Sequence, residues 1–263
     1  MNKNIVLFDM DGTLTESRQK FDSQFLSSSL IELSQMADIG IVTGSDLDYL
    51  KEQLGPILNS SIRYCLHLLP CNGTKYLKPP EFPSQDFQLT EEVNMKEVLG
   101  KVKWRRLLEI LINKQYLATE LDIPLTGEFI SFRGSMINWA PSGRAATNEE
   151  REKFVKFDKK YKFRKRLLAE LRQELDNAGL ENVTVKLGGD TSFDIYPTGW
   201  DKTFALRYFN GSKVWFVGDR ARNPSGNDYE IHKACEPRSF HTDGPTTTDS
   251  VIFNIMQVIK EDL

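Results

Sequence analysis

The sequence is poor in the residues that build disulfide frameworks and zinc sites. It has 3 cysteines and 3 histidines among 263 residues. The cysteines, Cys65, Cys71 and Cys235, are odd in number and form no CxxC pair, so neither kind of site is favoured. Free thiols are typical of a reducing compartment, and we therefore expect a cytoplasmic protein.

The sequence also lacks long apolar runs and a large net charge. No run approaches the roughly 20 apolar residues of a membrane-spanning helix. The short apolar run near the N-terminus stops at acidic residues, unlike a signal peptide. With a net charge of -3, the molecule has no general attraction to nucleic acid or to an anionic membrane. We expect neither partner, and any anion must be bound by a local cluster of cations.

Alternating strands and helices dominate the two ends of the chain. Ile5–Phe8, Ile39–Thr43, Tyr64–Leu69 and Val214–Val217 are short apolar runs that predict buried parallel strands. Phe21, Phe25, Leu30 and Leu33 have approximate helical spacing, Asp46 is placed to cap a second helix, and a last helix is predicted from about Asp249 to Lys260. This alternation predicts an α/β fold with a doubly wound, mostly parallel sheet.

The pattern changes after Lys78–Pro83, where three prolines occur in six residues. Beyond it, Thr147 and Glu150 have the spacing of a capping box, which predicts a helix start. A glycine-led turn at Gly134 predicts a hairpin. The predicted strands of this segment are Glu128–Arg133, Met136–Ala140, Val183–Leu187 and Ser192–Tyr196. We therefore predict a core at 1–81 and 198–263, with an inserted α+β cap containing an antiparallel sheet at 82–197.

Two carboxylates follow the first predicted strand, in Asp9-Met-Asp11-Gly-Thr13. Ligands of open α/β sheets bind beyond the carboxyl ends of strands. Paired carboxylates there suit Mg²⁺ and a phosphate, with one acid attacking phosphorus and the other moving a proton. The same letters occur in calcium loops, but the remaining acids of an EF-hand are missing.

Three later segments complete a phosphate-transfer site. Thr43-Gly-Ser45 ends the second strand, and either hydroxyl is a candidate for binding the transferring phosphate. Lys202 offers that phosphate a positive charge. Asp219 ends another strand and Asp228 lies nearby, so both supply further acidic groups at a strand end.

Three arginines, Arg133, Arg144 and Arg151, occur between residues 131 and 151, where acidic residues come only at the end. The alternative to a binding role is that these arginines are solvated at the surface and pair with Glu149 or Glu150. Arg151, however, lies in the first turn of the predicted helix, where the helix dipole disfavours a cation, so a bound anion would explain it. Strand alternation puts Ser192 and Asp194 on one face, where a hydroxyl and a carboxylate suit sugar hydroxyls.

The segments FDMDGTLT, VTGS, Lys202 and GDRARNPSGND resemble the four motifs of the haloacid dehalogenase-like (HAD) superfamily. The resemblance implies that Asp9 is a nucleophile and Asp11 a general acid and base. It also implies that Asp9, the backbone carbonyl of Asp11 and Asp219 bind Mg²⁺, with support from Asp228.

A closer resemblance covers nearly the whole chain. The segments DMDGTLTESRQK, FRGSMINWAPSGR with EER, GGDTSFDIYPTGWDK and GNDYEI are similar to eukaryotic-type phosphomannomutases, including the 11-then-7 spacing of three arginines. The resemblance implies that the substrate contacts are Arg18, Arg133, Arg144, Arg151, Ser192 and Asp194. It further implies a homodimer joined through the caps.

The implied activity interconverts mannose 6-phosphate and mannose 1-phosphate for GDP-mannose synthesis. It proceeds through an aspartyl-phosphate and a hexose 1,6-bisphosphate, which also serves as activator. A capped HAD sugar-phosphate phosphatase is the alternative reading. A phospho-accepting regulatory domain is a third, but it would need neither Asp11 nor a cap. The choice between mannose and glucose stays open at this point.

Overall fold

The computed structural model describes residues 3–22 and 24–261, without the side chain of Phe25. The chain divides into two compact units, which we call unit 1 (Met1–Glu92 and Trp200–Leu263) and unit 2 (Val93–Gly199). No helix in the described ranges combines the length and apolarity that crossing a membrane requires.

The described residues form eleven strands. In chain order they are β1 Asn4–Phe8, β2 Asp38–Val42, β3 Leu66–Leu69, β4 Lys75–Lys78, β5 Gln88–Glu92, β6 Ile130–Phe132, β7 Ile137–Trp139, β8 Val183–Gly188, β9 Ser192–Pro197, β10 Lys213–Gly218 and β11 Ser239–His241. The α-helices are α1 Gln24–Leu33, α2 Leu47–Leu58, α3 Met95–Ala118, α4 Asn148–Tyr161, α5 Phe163–Asn177, α6 Tyr229–Cys235 and α7 Pro245–Glu261.

Unit 1 is built on a seven-stranded sheet in the order β11-β10-β1-β2-β3-β4-β5. The strands from β11 to β3 are parallel, and β4 and β5 extend the sheet antiparallel. Successive residues of β1 pack into two different apolar clusters: Val6 and Phe8 into one, Ile5 and Leu7 into the other. The sheet is therefore buried on both faces, which confirms the doubly wound α/β fold.

Some element bounds differ from the predictions. The run Tyr64–Leu69 is a strand only from Leu66, because Ser60 caps a 3-10 turn over Ser61–Cys65. The final helix begins at Pro245, four residues before Asp249. The structure also divides the chain after Glu92, where the sequence suggested 81, because β5 pairs with β4.

Unit 2 contains a four-stranded antiparallel sheet in the order β6-β7-β9-β8, as expected for the insertion. β6 and β7 form the predicted hairpin, and Gly134 in its turn has a φ of +83°. On one face of the sheet, Trp139 stacks on Phe193 at 5.1 Å, and α3 and α5 pack against the strands. The other face presents the polar side chains of the alternate residues.

Candidate active site

Three carboxylates converge beyond the carboxyl ends of β1 and β10. Asp9 follows β1, Asp219 follows β10, and Asp228 precedes α6. Because β1 and β10 are parallel neighbours, with Phe8 opposite Val217, their ends bring the first two acids together. One oxygen from each of the three carboxylates lies within 4.8 Å of the others. All three acids were candidates from the sequence, and the structure brings them together.

Lys202 is the cation of this cluster and is only 1% exposed. Its ammonium Nζ donates to Asp9 and lies 2.5 Å from Asp228 Oδ1. The 3-10 turn that begins at Lys202 is capped by Asp201, whose Oδ1 accepts from the Thr203 N–H at 2.9 Å. The turn therefore fixes where the lysine side chain starts, and the two carboxylates fix where it ends.

Two glycines leave the space that the carboxylates occupy. A Cβ added to Gly12 would lie 2.6 Å from Asp219 Oδ2, and one added to Gly218 would lie 2.6 Å from Asp228 Oδ2. Gly12 also has a φ of +81°, which favours glycine. The close approach of these carboxylates thus explains why glycine occupies both positions.

Lys202, and Arg220 at 3.7 Å from Asp219 Oδ2, offset only part of the negative charge of the cluster. Burial, followed by the neighbouring Asp228 carboxylate, raises the pKa of Asp9 well above its usual range, against the effect of Lys202. The same two causes raise the pKa of Asp219 to about 6. Asp219 Oδ1 is buried and has no hydrogen-bond partner among the described residues. Carboxylate oxygens with an uncompensated negative charge fit a hard divalent cation such as Mg²⁺.

The side chain of Asp11 is held apart from the three-carboxylate cluster. Its Oδ1 accepts from the backbone N–H of Arg18 at 2.9 Å and from the Tyr49 hydroxyl at 3.2 Å. Burial and the Asp11 carboxylate raise the pKa of Tyr49, so its hydroxyl keeps the proton that it donates. The sequence analysis did not identify Tyr49. Arg18, a predicted substrate contact, has an exposed side chain and a φ of +62°.

The segment after β2 carries the two candidate phosphate-binding hydroxyls. Thr43 is buried, and its Oγ1 accepts from the Ser45 backbone N–H at 3.1 Å. Ser45 is half-buried. The Asn72 N–H donates to the Thr43 carbonyl at 2.7 Å, so the loop after β3 supports this segment. Ser45 therefore has the more accessible of the two hydroxyls.

In unit 2, three predicted substrate contacts are joined by one amide. Asn138 Nδ2 donates to Asp194 Oδ1 at 2.7 Å and to Ser192 Oγ at 3.0 Å. Its Oδ1 accepts from Arg144 Nη1 at 3.0 Å. Sequence reasoning missed Asn138, although its alternation with the apolar Ile137 and Trp139 places it on the same polar face.

The other two arginines lie on different elements of unit 2. Arg133 lies in the hairpin turn, where its backbone N–H donates to the Met136 carbonyl at 2.8 Å. Arg151 lies in the first turn of α4, whose predicted capping box between Thr147 and Glu150 is present. Arg144 is joined directly to the polar cluster around Asn138.

Comparison with known proteins shows the family of the chain. The family model described as eukaryotic phosphomannomutase matches residues 26–258. A phosphomannomutase of Dendrobium officinale is 38% identical over 232 residues, covering 88% of this chain and 85% of the relative. A phosphomannomutase of Drosophila melanogaster is 34% identical over 267 residues, covering 97% and 96%.

Solved structures extend the likeness to the fold. The IMP-bound, N-terminally truncated IMP-nucleotidase of Plasmodium falciparum has a TM-score of 0.65 at 15% identity, over 97% of this chain and 68% of that chain. At this identity the likeness shows the fold alone, which here is an α/β core with an inserted unit that holds an antiparallel sheet. By sequence, the chain belongs to the eukaryotic phosphomannomutase family.

Proposed function

We propose that the protein is a phosphomannomutase, an isomerase that interconverts mannose 6-phosphate and mannose 1-phosphate for GDP-mannose synthesis. One observation carries the proposal. Unit 1 holds the Asp9 carboxylate beside a buried lysine, and unit 2 holds an arginine, a hydroxyl and a carboxylate on one polar face. A phosphoryl-transfer site and a separate hexose phosphate recognition surface are both needed by a sugar-phosphate mutase.

In the proposed reaction, phosphorylated Asp9 gives its phosphoryl group to a hexose monophosphate. The free hydroxyl of the hexose attacks phosphorus, its proton passes to Asp11, and the bond from phosphorus to Asp9 breaks. The resulting hexose 1,6-bisphosphate turns end for end. Asp9 then attacks the other phosphate, and Asp11 returns the proton to the departing hexose oxygen.

The contacts of Asp11 suit this proton transfer. The Arg18 N–H and the Tyr49 hydroxyl both donate to Oδ1, so we assign the transfer to Oδ2. Asp9, Asp219 and Asp228, with the backbone carbonyl of Asp11, would hold Mg²⁺, which supplies positive charge to the transferring phosphoryl group. Lys202 supplies a further positive charge, and Ser45 or Thr43 binds a phosphoryl oxygen.

The arginines of unit 2 bind the phosphate that is not reacting. A guanidinium donates to phosphate oxygens in pairs, and its charge does not depend on pH. Arg133, Arg144 and Arg151 have this role in the proposal, with Arg18 as a further contact. Ser192 and Asp194 bind hydroxyls of the hexose. Hexose 1,6-bisphosphate is the activator, because it phosphorylates Asp9 at the start.

The test supplies mannose 1-phosphate, Mg²⁺ and a trace of hexose 1,6-bisphosphate. Formation of mannose 6-phosphate that depends on the bisphosphate supports the mutase. Stoichiometric release of free phosphate would show a phosphatase instead, and the absence of both products would leave the regulatory alternative. Parallel reactions with glucose 1-phosphate measure the preference between the two hexoses.

The proposal includes a cytoplasmic homodimer joined through unit 2. Unit 2 exposes apolar side chains at Val98, Val102, Ile112, Tyr116, Leu117 and Phe132, where Phe132 is 42% exposed. Trp139 is not part of this exposed set, because it is fully buried against Phe193 and donates to Gln115 at 2.8 Å. Sedimentation of the protein and of Phe132→Glu tests the dimer.

A further inference from the structure

The amide of Asn138 lies at the centre of the polar face of unit 2. Asn138 is on β7, and in the strand register it stands directly opposite Asp194 of β9. Its neighbours in sequence, Ile137 and Trp139, are fully buried on the opposite face. Asn138 is itself only 4% exposed. A polar group this buried is stable only when hydrogen-bonded, and the surrounding side chains provide the partners.

Both ends of the amide are used. The NH₂ group donates to Asp194 and Ser192, and the carbonyl oxygen accepts from the Arg144 guanidinium. A guanidinium only donates and an ionised carboxylate only accepts. A group between them must therefore accept at one end and donate at the other, and it must do so without adding charge. Among side chains of this size, the amide of asparagine meets that requirement.

The partners of Asn138 are fixed from other directions as well. A Cβ on Gly188 would lie 2.8 Å from the carboxylate carbon and both oxygens of Asp194, so this carboxylate fills the space above Gly188. Ser192 Oγ donates to the Gly188 carbonyl at 2.7 Å. The amide of Asn138 thus contacts both groups on β9 and the arginine after β7.

We infer that Asn138 is a positioning residue that sets the spacing between the phosphate-binding guanidinium of Arg144 and the hexose-binding groups of Ser192 and Asp194. The inference rests on the proposed hexose phosphate function. A hexose phosphate carries its phosphate and its hydroxyls on one small molecule, so the groups that bind them must stand close together. Asn138 thereby favours hexose phosphates over phosphate monoesters that lack those hydroxyls.

The main variant is Asn138→Asp, which keeps the size of the side chain and the acceptor for Arg144 but places a carboxylate against Asp194. We expect KM for mannose 1-phosphate to rise roughly tenfold or more, with a smaller change in kcat, because binding groups are displaced while the reacting groups stay in place. Hydrolysis of p-nitrophenyl phosphate, which lacks a hexose, is measured on the same samples and should be unchanged.

Asn182→Asp is the matched control. It makes the same chemical change in unit 2 at an exposed position, where the side chain accepts from Lys103 at 3.3 Å. We expect its KM values to equal those of the unmodified protein. If Asn138→Asp folded with the same melting temperature as the unmodified protein and kept its KM for mannose 1-phosphate, the inference would be wrong.

A second variant covers the case in which Asn138→Asp does not fold. Asn138→Ser replaces the amide with a hydroxyl, which can still donate and accept. The serine side chain is too short to reach all three partners, so we expect a rise in KM of about threefold to tenfold. If both variants failed to fold, Asn138 would be structural and the inference overturned. A failure of the proposed function is distinguishable, because the unmodified protein would then form no mannose 6-phosphate.

Discussion

The two units hold their charged groups in opposite ways. In unit 1, Asp9, Asp228 and Lys202 are buried, and Lys202 contacts both carboxylates directly. In unit 2, Arg144 and Asp194 lie half-buried on an open sheet face and are linked through a neutral amide. A buried cluster strengthens electrostatic interactions with a reacting group, whereas an open face lets a ligand reach the charges.

This difference suggests a division of kinetic roles. Changes in the buried cluster of unit 1 should lower kcat, because its groups act on the bond that is made or broken. Changes on the polar face of unit 2 should raise KM, because its groups bind parts of the substrate that do not react. Variants of both units test that division, and their expected effects differ widely in size.

Asp9→Asn should have the largest effect. The amide has the shape of the carboxylate but is not a nucleophile, so we expect kcat to fall by about 10⁴-fold or more. The measurement is mannose 6-phosphate formation, together with covalent labelling by phosphorus-32 from hexose 1,6-bisphosphate. Labelling of the variant protein at another residue would contradict the assignment of Asp9.

Lys202→Met should affect both turnover and stability. Removing the ammonium leaves Asp9 and Asp228 buried without their cation, which should cost about 3 kcal/mol of unfolding free energy. We expect kcat to fall by about 10²-fold, because charge stabilisation at the phosphoryl group is lost. Urea unfolding with and without Mg²⁺ measures the first effect, and Mg²⁺ should restore part of the stability.

Lys75→Met is the control for Lys202. Its ammonium pairs with Glu92 at 2.8 Å, but the pair is partly exposed to solvent. Such pairs contribute at most about 1 kcal/mol. Equal losses from the two lysines would show that burial of the unit 1 cluster does not matter to its stability.

Arg144→Ala and Arg151→Ala test the other side of the comparison. We expect KM for mannose 1-phosphate to rise by about 10- to 100-fold in each, because a charged contact to the distal phosphate is removed. Arg106→Ala, whose exposed guanidinium pairs with Glu109 at 3.2 Å in unit 2, is the control and should have no effect. A fall in kcat alone would place these arginines with the reacting groups.

Tyr49→Phe should have the smallest effect. It removes the hydroxyl that donates to Asp11 but leaves the Arg18 N–H in place, so we expect kcat to fall by about threefold to tenfold with little change in KM. Tyr208→Phe is the matched control, because the Tyr208 hydroxyl is buried in unit 1 without a hydrogen-bond partner among the described residues. Identical kinetics for the two variants would mean that Tyr49 does not orient Asp11.

The sequence predicted the positions of the strand-end acids of unit 1, because the apolar runs of buried strands are easy to recognise. The apolar runs at β1 and β10 locate two parallel strands, and the acids that follow them must then lie at one edge of the sheet. Alternation along β9 likewise predicts that Ser192 and Asp194 share a face, as they do. In both cases a local pattern determines where a side chain points.

Other features depend on contacts between distant segments. β5, with the sequence QLTEE, is largely exposed and has no apolar pattern, so only its pairing with β4 identifies it as a strand. Tyr49 reaches Asp11 across 38 residues, and Asn138 reaches Asp194 across 56. Which tyrosine or asparagine makes such a contact depends on strand register and helix placement, which one sequence does not reveal.

The two edge strands of the seven-stranded sheet affect how the protein behaves in a concentrated solution. One edge strand is β11, only 3 residues long, and the other is β5, which ends in Glu91 and Glu92. Short edge strands and edge strands carrying like charges are poor templates for a strand from a second molecule. We therefore expect unit 1 to resist fibre formation by edge-to-edge pairing.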